Sequence, residues 1–336
     1  MTFFPYLSLF LMTLIMGSLM SLSANHWFYV WLGLELNLLS FIPLMNMSKT
    51  NQESEAAGKY FLAQALGSAI MLLGAINMYL TPQIMISPSL FSQLIIIGLL
   101  IKLGLPPYHF WFPLVMNNLS WPMCFVLLTW QKIAPLLIMF WSITNPYNLM
   151  LMLIIFMSSI IGGIGGMNQS QIRPLLAYSS IGHMSWMLAG SIYSNLSSYL
   201  YLLIYMLITT AIIILMLNIN KSIISMMDSI KFNNPIFMLS VIALLLSLGG
   251  IPPFLGFLPK WLIIQSLSNY SNMFLLMILI IGSIMNLFYY LNMIFMSLLN
   301  LNKPTIIATP THKNKISSTF LALVLLGVAP ISIMLL

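Results

Sequence analysis

The chain has 336 residues, of which 60% are hydrophobic and only 4% charged, with a net charge of +7 and a mean hydropathy of +1.02. A water-soluble core could not hide that much apolar surface, so the composition excludes a soluble globular protein and requires a polytopic membrane protein. The single cysteine, Cys124, excludes an intrachain disulfide framework or a cysteine-ligated metal cluster. With no basic run or RNA-binding signature, the positive charge reflects topology and lipid headgroups and not nucleic acid.

In chain order, apolar runs occupy residues 3–23, 26–46, 60–80, 90–115, 122–143, 149–167, 174–193, 198–218, 235–267, 272–299 and 317–336. These are eleven predicted spans, most near the roughly 20 residues a helix needs to cross about 30 Å of hydrocarbon. Alternating strands of about 10 residues, the mark of a transmembrane barrel, are missing from the sequence. The expected fold is therefore all-α, a single transmembrane domain over 1–336 that ends in a helix near 317–336. Residues 1–23 lack a basic leader and a small-residue cleavage site, which predicts a retained first span. Twenty-nine methionines suit synthesis inside an organelle.

The loops test the span count. Lys49, Lys59, Arg173, Lys221, Lys231, Lys303, Lys313 and Lys315 all follow even-numbered spans, while the loops at 24–25, 81–89, 144–148, 194–197 and 268–271 carry no charge. By the positive-inside rule the N-terminus is expected on the matrix or cytoplasmic side and the C-terminus opposite. Ser54 and Glu55, with Lys59 four residues on, read as a helix cap and an i,i+4 pair that open span three.

Residues Gly104-Leu105-Pro106-Pro107 through Pro113 align without a gap to Gly250-Ile251-Pro252-Pro253 through Pro259, at an offset of 146. Two adjacent prolines remove two amide donors and disfavour a helix through them, so spans four and nine are each expected to break into half-helices. A straight helix over 235–267 would reach about 50 Å, too long for one crossing. Spans four and nine are five apart and run in opposite directions. That is the pattern of an inverted repeat, here a first repeat near 1–145 and a second near 146–300, with interrupted helices at 104–113 and 250–259 marking the ion path. The plainer reading of one Pro-Pro pair is a surface loop, but two matched pairs inside overlong spans favour broken helices.

Only four charged residues, Glu35, Lys102, Lys132 and Lys260, interrupt long apolar stretches. Ionisable groups in a bilayer are costly and mark function. Glu35 lies about 14 Å along span two and Lys132 about 15 Å along span five, both near the midplane. Lys102 just precedes the first break and Lys260 just follows the second. Low dielectric disfavours the charged form of acid and amine alike, and an opposite charge nearby restores it, so the four can act as a switchable proton relay. The plainer alternatives are a salt bridge pinning helices together or a charged seam against another subunit. His109, after the first break, and His183, within Tyr178-Ser179-Ser180-Ile181-Gly182-His183, are additional proton carriers or simple interhelical hydrogen bonds. His26 and His312 fit interfaces or loops, and no helix pairs two histidines at i and i+4 to hold a metal.

Gly162-Gly163-Ile164-Gly165-Gly166 predicts close helix packing and not a nucleotide loop, since no strand-turn-helix unit surrounds it. Trp111, Trp121, Trp130, Trp141, Trp186 and Trp261 read as interface anchors and packing groups.

Several segments carry a specific likeness: Trp31 to Asn37, Glu55 to Phe61, Lys102 to Pro113, Thr129 to Pro135, Tyr178 to Trp186 and Ser247 to Trp261. In order and spacing, over about residues 25–262, they closely resemble the subunit 2 family of the mitochondrial NADH:ubiquinone oxidoreductase, respiratory complex I. The resemblance implies an antiporter-like subunit of the membrane arm, with the eleven-span form typical of animals, multi-pass in the mitochondrial inner membrane. The N-terminus would face the matrix and the C-terminus the intermembrane space. It also implies a proton-transfer axis that maps onto Glu35, Lys102, Lys132 and Lys260. The subunit would be part of an enzyme without redox chemistry of its own. NADH, FMN, iron-sulfur clusters and ubiquinone would act elsewhere in the complex, and no cofactor would bind this chain. Its partners would be other membrane-arm subunits, accessory subunits and lipids, with no nucleic acid. Arg173 followed by Pro174, and Asn292 in place of a frequent arginine, depart from the pattern. A free-standing cation/proton antiporter and a non-transporting scaffold are the rival readings.

Overall fold

The computed structural model describes residues 5–47, 50–80, 88–143, 149–217, 235–270 and 272–299. They fold into helices and turns with no strand among the described residues: α1 (Pro5–Ser23), α2 (Trp27–Met45), α3 (Asn51–Leu80), α4 (Pro88–Leu103), α5 (Trp111–Asn118), α6 (Trp121–Leu128), α7 (Trp130–Ser142), α8 (Leu149–Met167), α9 (Ile172–Tyr193), α10 (Asn195–Leu217), α11 (Pro235–Gly249), α12 (Phe257–Asn269) and α13 (Met273–Leu299). Seven described stretches are long and apolar enough to cross a membrane, and two shorter apolar ones, Phe91–Leu103 and Leu239–Gly249, lead into the two proline-rich turns. The predicted span at 317–336 lies outside the described residues, as do Lys49, Lys221, Lys231, Lys303, Lys313, Lys315 and His312.

The chain divides into two compact units, Met1–Asn145 and Pro146–Leu336. In the first, α1 packs on α2 and α7, α2 on α3, α3 on α4 and α5, and α4 on α7. Its outward faces are apolar, with Leu9, Met12 and Met16 on α1 and Leu62, Leu66 and Leu73 on α3 all exposed, as a lipid-facing helix requires. In the second unit α9 touches α8, α10, α12 and α13. Nearly every residue of α9 from Pro174 to Ser191 is buried. A helix sheathed on all sides meets no lipid and can carry serines, glycines and a histidine. Gly162 on α8 makes that sheath close: a Cβ there would sit 2.7 Å from the Gly182 amide nitrogen of α9. The glycine run thus serves helix packing, as expected.

Three expectations change. Span three begins nine residues earlier than its apolar run, at Asn51, and its cap is Thr50, whose Oγ1 accepts from the Glu53 amide at 3.3 Å. Ser54 is not the cap, because its hydroxyl turns back to the Asn51 carbonyl at 2.8 Å. The Glu55–Lys59 ion pair does form, and it lies inside α3. Span five is interrupted at Thr129 (φ −111°, ψ −73°), whose hydroxyl donates to the Phe125 carbonyl at 2.7 Å. Such back-bonding competes with the helix ladder and bends it. Trp111 is one of the packing groups, donating to the Ile101 carbonyl at 3.1 Å.

Both proline-rich turns stop their helix in the same way. Gly104 (φ +70°) donates to the Ile101 carbonyl at 3.2 Å and Leu105 to Leu100 at 3.0 Å. Gly250 (φ +76°) donates to Ser247 at 3.1 Å and Ile251 to Leu246 at 3.5 Å. Left-handed backbone is accessible to glycine without a Cβ penalty, and these bonds satisfy carbonyls the ended helix would orphan.

Candidate functional site

In the first unit the site grows from the broken helix. Ending α4 at Leu103 leaves carbonyls that no helix amide reaches, at a depth where water is scarce. Trp111 covers the Ile101 carbonyl, and Gln64 Nε2 of α3 donates to the Lys102 carbonyl at 3.1 Å. With its backbone satisfied from outside, Lys102 keeps a buried ammonium whose Nζ has no hydrogen-bond partner among the described residues.

Glu35 sits on α2, half-buried, and its Oε2 is enclosed without a hydrogen-bond donor among the described residues. It acts electrostatically on Lys102 and on Tyr60 of α3. Lys59 and Glu55 form a contact ion pair on α3. Neither Glu35 Oε2 nor Lys102 Nζ is locked in a hydrogen bond among the described residues.

Lys132 is the third residue of α7, beside the interruption at Thr129 and not midway along a straight helix. Its Nζ stands 4.8 Å from the centroid of the Phe112 ring, a cation–π contact with the first turn of α5. Pro135 cannot donate to the Gln131 carbonyl, which loosens the same turn. The Gln131 side chain ties three helices together: Nε2 donates to Asn37 Oδ1 of α2 at 3.0 Å, and Oε1 accepts from Tyr60 Oη at 3.4 Å. Lys102, Lys132, Asn37, Tyr60, Gln64 and Gln131 all line one cavity of about 20 Å³, room for a single water. His109 is buried in the turn with its ring 4.2 Å from that of Phe110, and it does not line this cavity.

In the second unit Lys260 lies in the first turn of α12, buried, and its Nζ donates to the Gly249 carbonyl at 2.8 Å. A cation thus closes the C-terminus of α11 directly, where its dipole is negative. His183 of α9 is buried and its Nδ1 shares a 2.8 Å hydrogen bond with Tyr201 Oη of α10. Of the residues marked in the sequence, Lys102 and Lys132 line one cavity in the first unit, which also holds Glu35 and His109, whereas Lys260 and His183 belong to the second. Sequence reasoning missed Gln64, Gln131 with Asn37, and Tyr60. The available signal was a lone amide in each of several apolar runs, the group most in need of a buried partner.

Comparison with known proteins follows the same outline. The family model for NADH:quinone oxidoreductase/Mrp antiporter, TM matches residues 24–286. The NADH-ubiquinone oxidoreductase chain 2 of Lumbricus terrestris is 40% identical over 97% of this chain and 94% of its own length, and that of Anopheles gambiae is 42% identical over 93% and 92%. Among solved structures, a chain of respiratory complex I from Thermus thermophilus with bound aureothin superposes with a TM-score of 0.81 at 26% identity, over 95% of this chain and 76% of that one. A chain of the Mrp complex from Dietzia sp. shares the fold at a TM-score of 0.75 and 18% identity, over 88% of this chain and 61% of that one. With half-helices, buried lysines and these relatives together, the chain belongs to the NADH:quinone oxidoreductase/Mrp antiporter transmembrane family, in the group of NADH-ubiquinone oxidoreductase chain 2.

Proposed function

We propose that this chain is a proton-translocating core subunit of the membrane arm of respiratory complex I, and that Glu35, Lys102, Lys132 and Lys260 carry its protons, with His109 and His183 as accessory carriers. It works in the mitochondrial inner membrane beside other membrane-arm subunits, accessory subunits and lipids, with its N-terminus toward the matrix and its C-terminus toward the intermembrane space. The two units form inverted repeats, each with one broken helix. The chain itself performs no redox step and binds no NADH, FMN, iron-sulfur cluster or ubiquinone, so the energy of electron transfer reaches it as a change of charge or packing.

The observation that carries this reading is a water-sized cavity lined by both Lys102 and Lys132, with neither Lys102 Nζ nor Glu35 Oε2 held in a hydrogen bond among the described residues. Loading a proton onto Glu35 removes the negative charge that favours the Lys102 ammonium, which favours release of the Lys102 proton. One water in the cavity can accept it and hand it toward Lys132. Restoring the Glu35 charge reloads Lys102. Because Gln64 holds the Lys102 carbonyl and Trp111 the Ile101 carbonyl, Lys102 can change charge without losing the helix end.

The test is mutation in the assembled complex. Lys102→Ala, Lys132→Ala and Glu35→Gln should each leave assembly intact and slow proton pumping roughly tenfold or more, the scale of losing one proton-transfer group. Normal pumping by an assembled Lys102→Ala plus Lys132→Ala variant would overturn the assignment. Loss of assembly in all three would point to a scaffold, and cation-driven proton exchange by the purified chain in vesicles to a free-standing antiporter.

A further inference from the structure

Lys132 leaves α7 from its first turn, and that turn is loosely held by its own backbone. Thr129 precedes it without a side-chain cap, since its hydroxyl donates back to the Phe125 carbonyl at 2.7 Å. Pro135 has no amide to give the Gln131 carbonyl, so the helix ladder misses the bond that would pin the turn from its other side. A lysine on such a turn can swing unless side chains fix the turn against its neighbours.

Gln131 supplies that fixing. It accepts from Tyr60 Oη of α3 at 3.4 Å and donates to Asn37 Oδ1 of α2 at 3.0 Å, and both partners are buried. Tyr60 is itself held, its ring edge to face with Phe41 of α2 at 5.3 Å and with Trp111 of α5 at 5.7 Å. Trp111 in turn holds the Ile101 carbonyl at the broken end of α4, and its neighbour Phe112 sets its ring against Lys132 Nζ. The contacts close a circuit, from the helix break through Trp111, Tyr60 and Gln131 to α7, and back from Lys132 through Phe112. Tyr60, Trp111, Phe112, Gln131 and Lys132 all line the same cavity.

The chemistry of the central member matters. An amide donates and accepts at once, so one Gln131 side chain serves a hydroxyl and a second amide without gaining or losing a proton. An ionised carboxylate in its place would only accept, and it would set a negative charge in the cavity that Lys132 lines. We infer that Gln131 is a positioning residue for Lys132, a neutral clamp that fixes the first turn of α7 so that the amine faces the cavity, and leaves its charge to be set by the ionisable groups around it. Those groups are Lys102 of α4 and Tyr60 of α3, which line the cavity, and Glu35 of α2, which acts electrostatically on both. The other helices packed on α7, α1 and α6, place none of their described ionisable side chains on the cavity. The inference rests on the proton-carrying role proposed above for Lys132.

Sealed membrane vesicles carrying the whole complex test this with three variants. Gln131→Met keeps the length of the side chain and removes both bonds, and Tyr60→Phe keeps the ring and removes one. Gln131→Glu keeps the shape, can still accept from the Tyr60 hydroxyl and from the amide of a turned Asn37, and adds the charge. We expect all three to assemble, with proton pumping slowed roughly tenfold or more at every pH in Gln131→Met, as for a misplaced transfer group, and by less in Tyr60→Phe. In Gln131→Glu most of the rate should return, but with the pH profile of pumping moved toward alkaline by about one unit, because the carboxylate favours the charged lysine and its proton leaves only at higher pH. A residue that merely held helices together would leave that profile in place. A normal rate in assembled Gln131→Met, or an unmoved profile in assembled Gln131→Glu, would overturn the clamp. Failure of all three to assemble would do so as well, since the bonds would then serve the fold alone. Lys132→Ala in the same vesicles separates the two levels: a defect there with normal Gln131 variants sinks only the clamp, whereas normal pumping by Lys132→Ala sinks the role on which the clamp rests.

Discussion

Lys102 and Lys260 flank equivalent turns from opposite sides and do opposite things with their ammonium groups. The repeat offset pairs Lys260 with Leu114 and Lys102 with Leu248, so the amine has changed half-helix between the two units. In the second unit the amine itself closes the helix end at the Gly249 carbonyl. In the first unit that task falls to Gln64 and Trp111, and the Lys102 ammonium is left for other use. Two unlike outcomes follow for the same substitution. Lys260→Met strips a charged donor from a buried carbonyl and should cost about 1.5–3 kcal/mol, seen as a lower melting temperature of the complex on top of the loss of a proton carrier. Lys102→Met keeps every backbone bond and should leave melting nearly unchanged while pumping falls. Gln64→Leu should show the reverse pattern to Lys102→Met, with a cost of about 1–3 kcal/mol for the orphaned Lys102 carbonyl.

At the level of elements, three interruptions shape the chain. Gly104 and Gly250 hold φ values near +70°. Alanine at either position should destabilise by about 1–2 kcal/mol, the cost of left-handed backbone for a residue with a Cβ. Gly104→Ala also meets Phe112 Cβ at 2.9 Å, close to the ring that faces Lys132, so we expect it to lower pumping as well as melting temperature. The third interruption, at Thr129, was not foreseen because it has neither glycine nor proline. Its signal is a threonine one turn past a carbonyl it can take, followed by Pro135. Gly162 sets a different limit. A Cβ there would meet backbone atoms of Gly182, which cannot swing aside as a flexible side chain could. Gly162→Leu should therefore force α8 and α9 apart, costing upwards of about 1–3 kcal/mol, with loss of assembled complex on native gels.

For the whole molecule, hydropathy and charge decide what surrounds it. Exposed leucines, methionines and phenylalanines on the outer faces of α1, α3 and α13 match a hydrocarbon solvent. The asymmetry of lysine between alternate loops predicts orientation, and a cysteine-reactive probe that cannot cross membranes should label Asn25→Cys only from the intermembrane-space side. Labelling from the matrix side would reverse the topology.

Most of the helices, and the two proline-rich breaks, were legible because a bilayer enforces length, apolarity and internal hydrogen bonding on any segment that enters it. The buried charges were legible for the same reason, since Glu35, Lys102, Lys132 and Lys260 stand out against apolar neighbours. Helix ends were less so: α3 runs well beyond its apolar stretch because a capped polar turn, with Glu53 buried in it, extends it. What tertiary structure alone decided is which side chain answers which backbone group. Gln64 on Lys102, Gln131 between Asn37 and Tyr60, and Tyr201 on His183 join residues 38, 94, 71 and 18 positions apart. Composition and periodicity report the solvent of each segment, whereas such pairings depend on how helices rotate about their axes when they pack, which no single segment encodes.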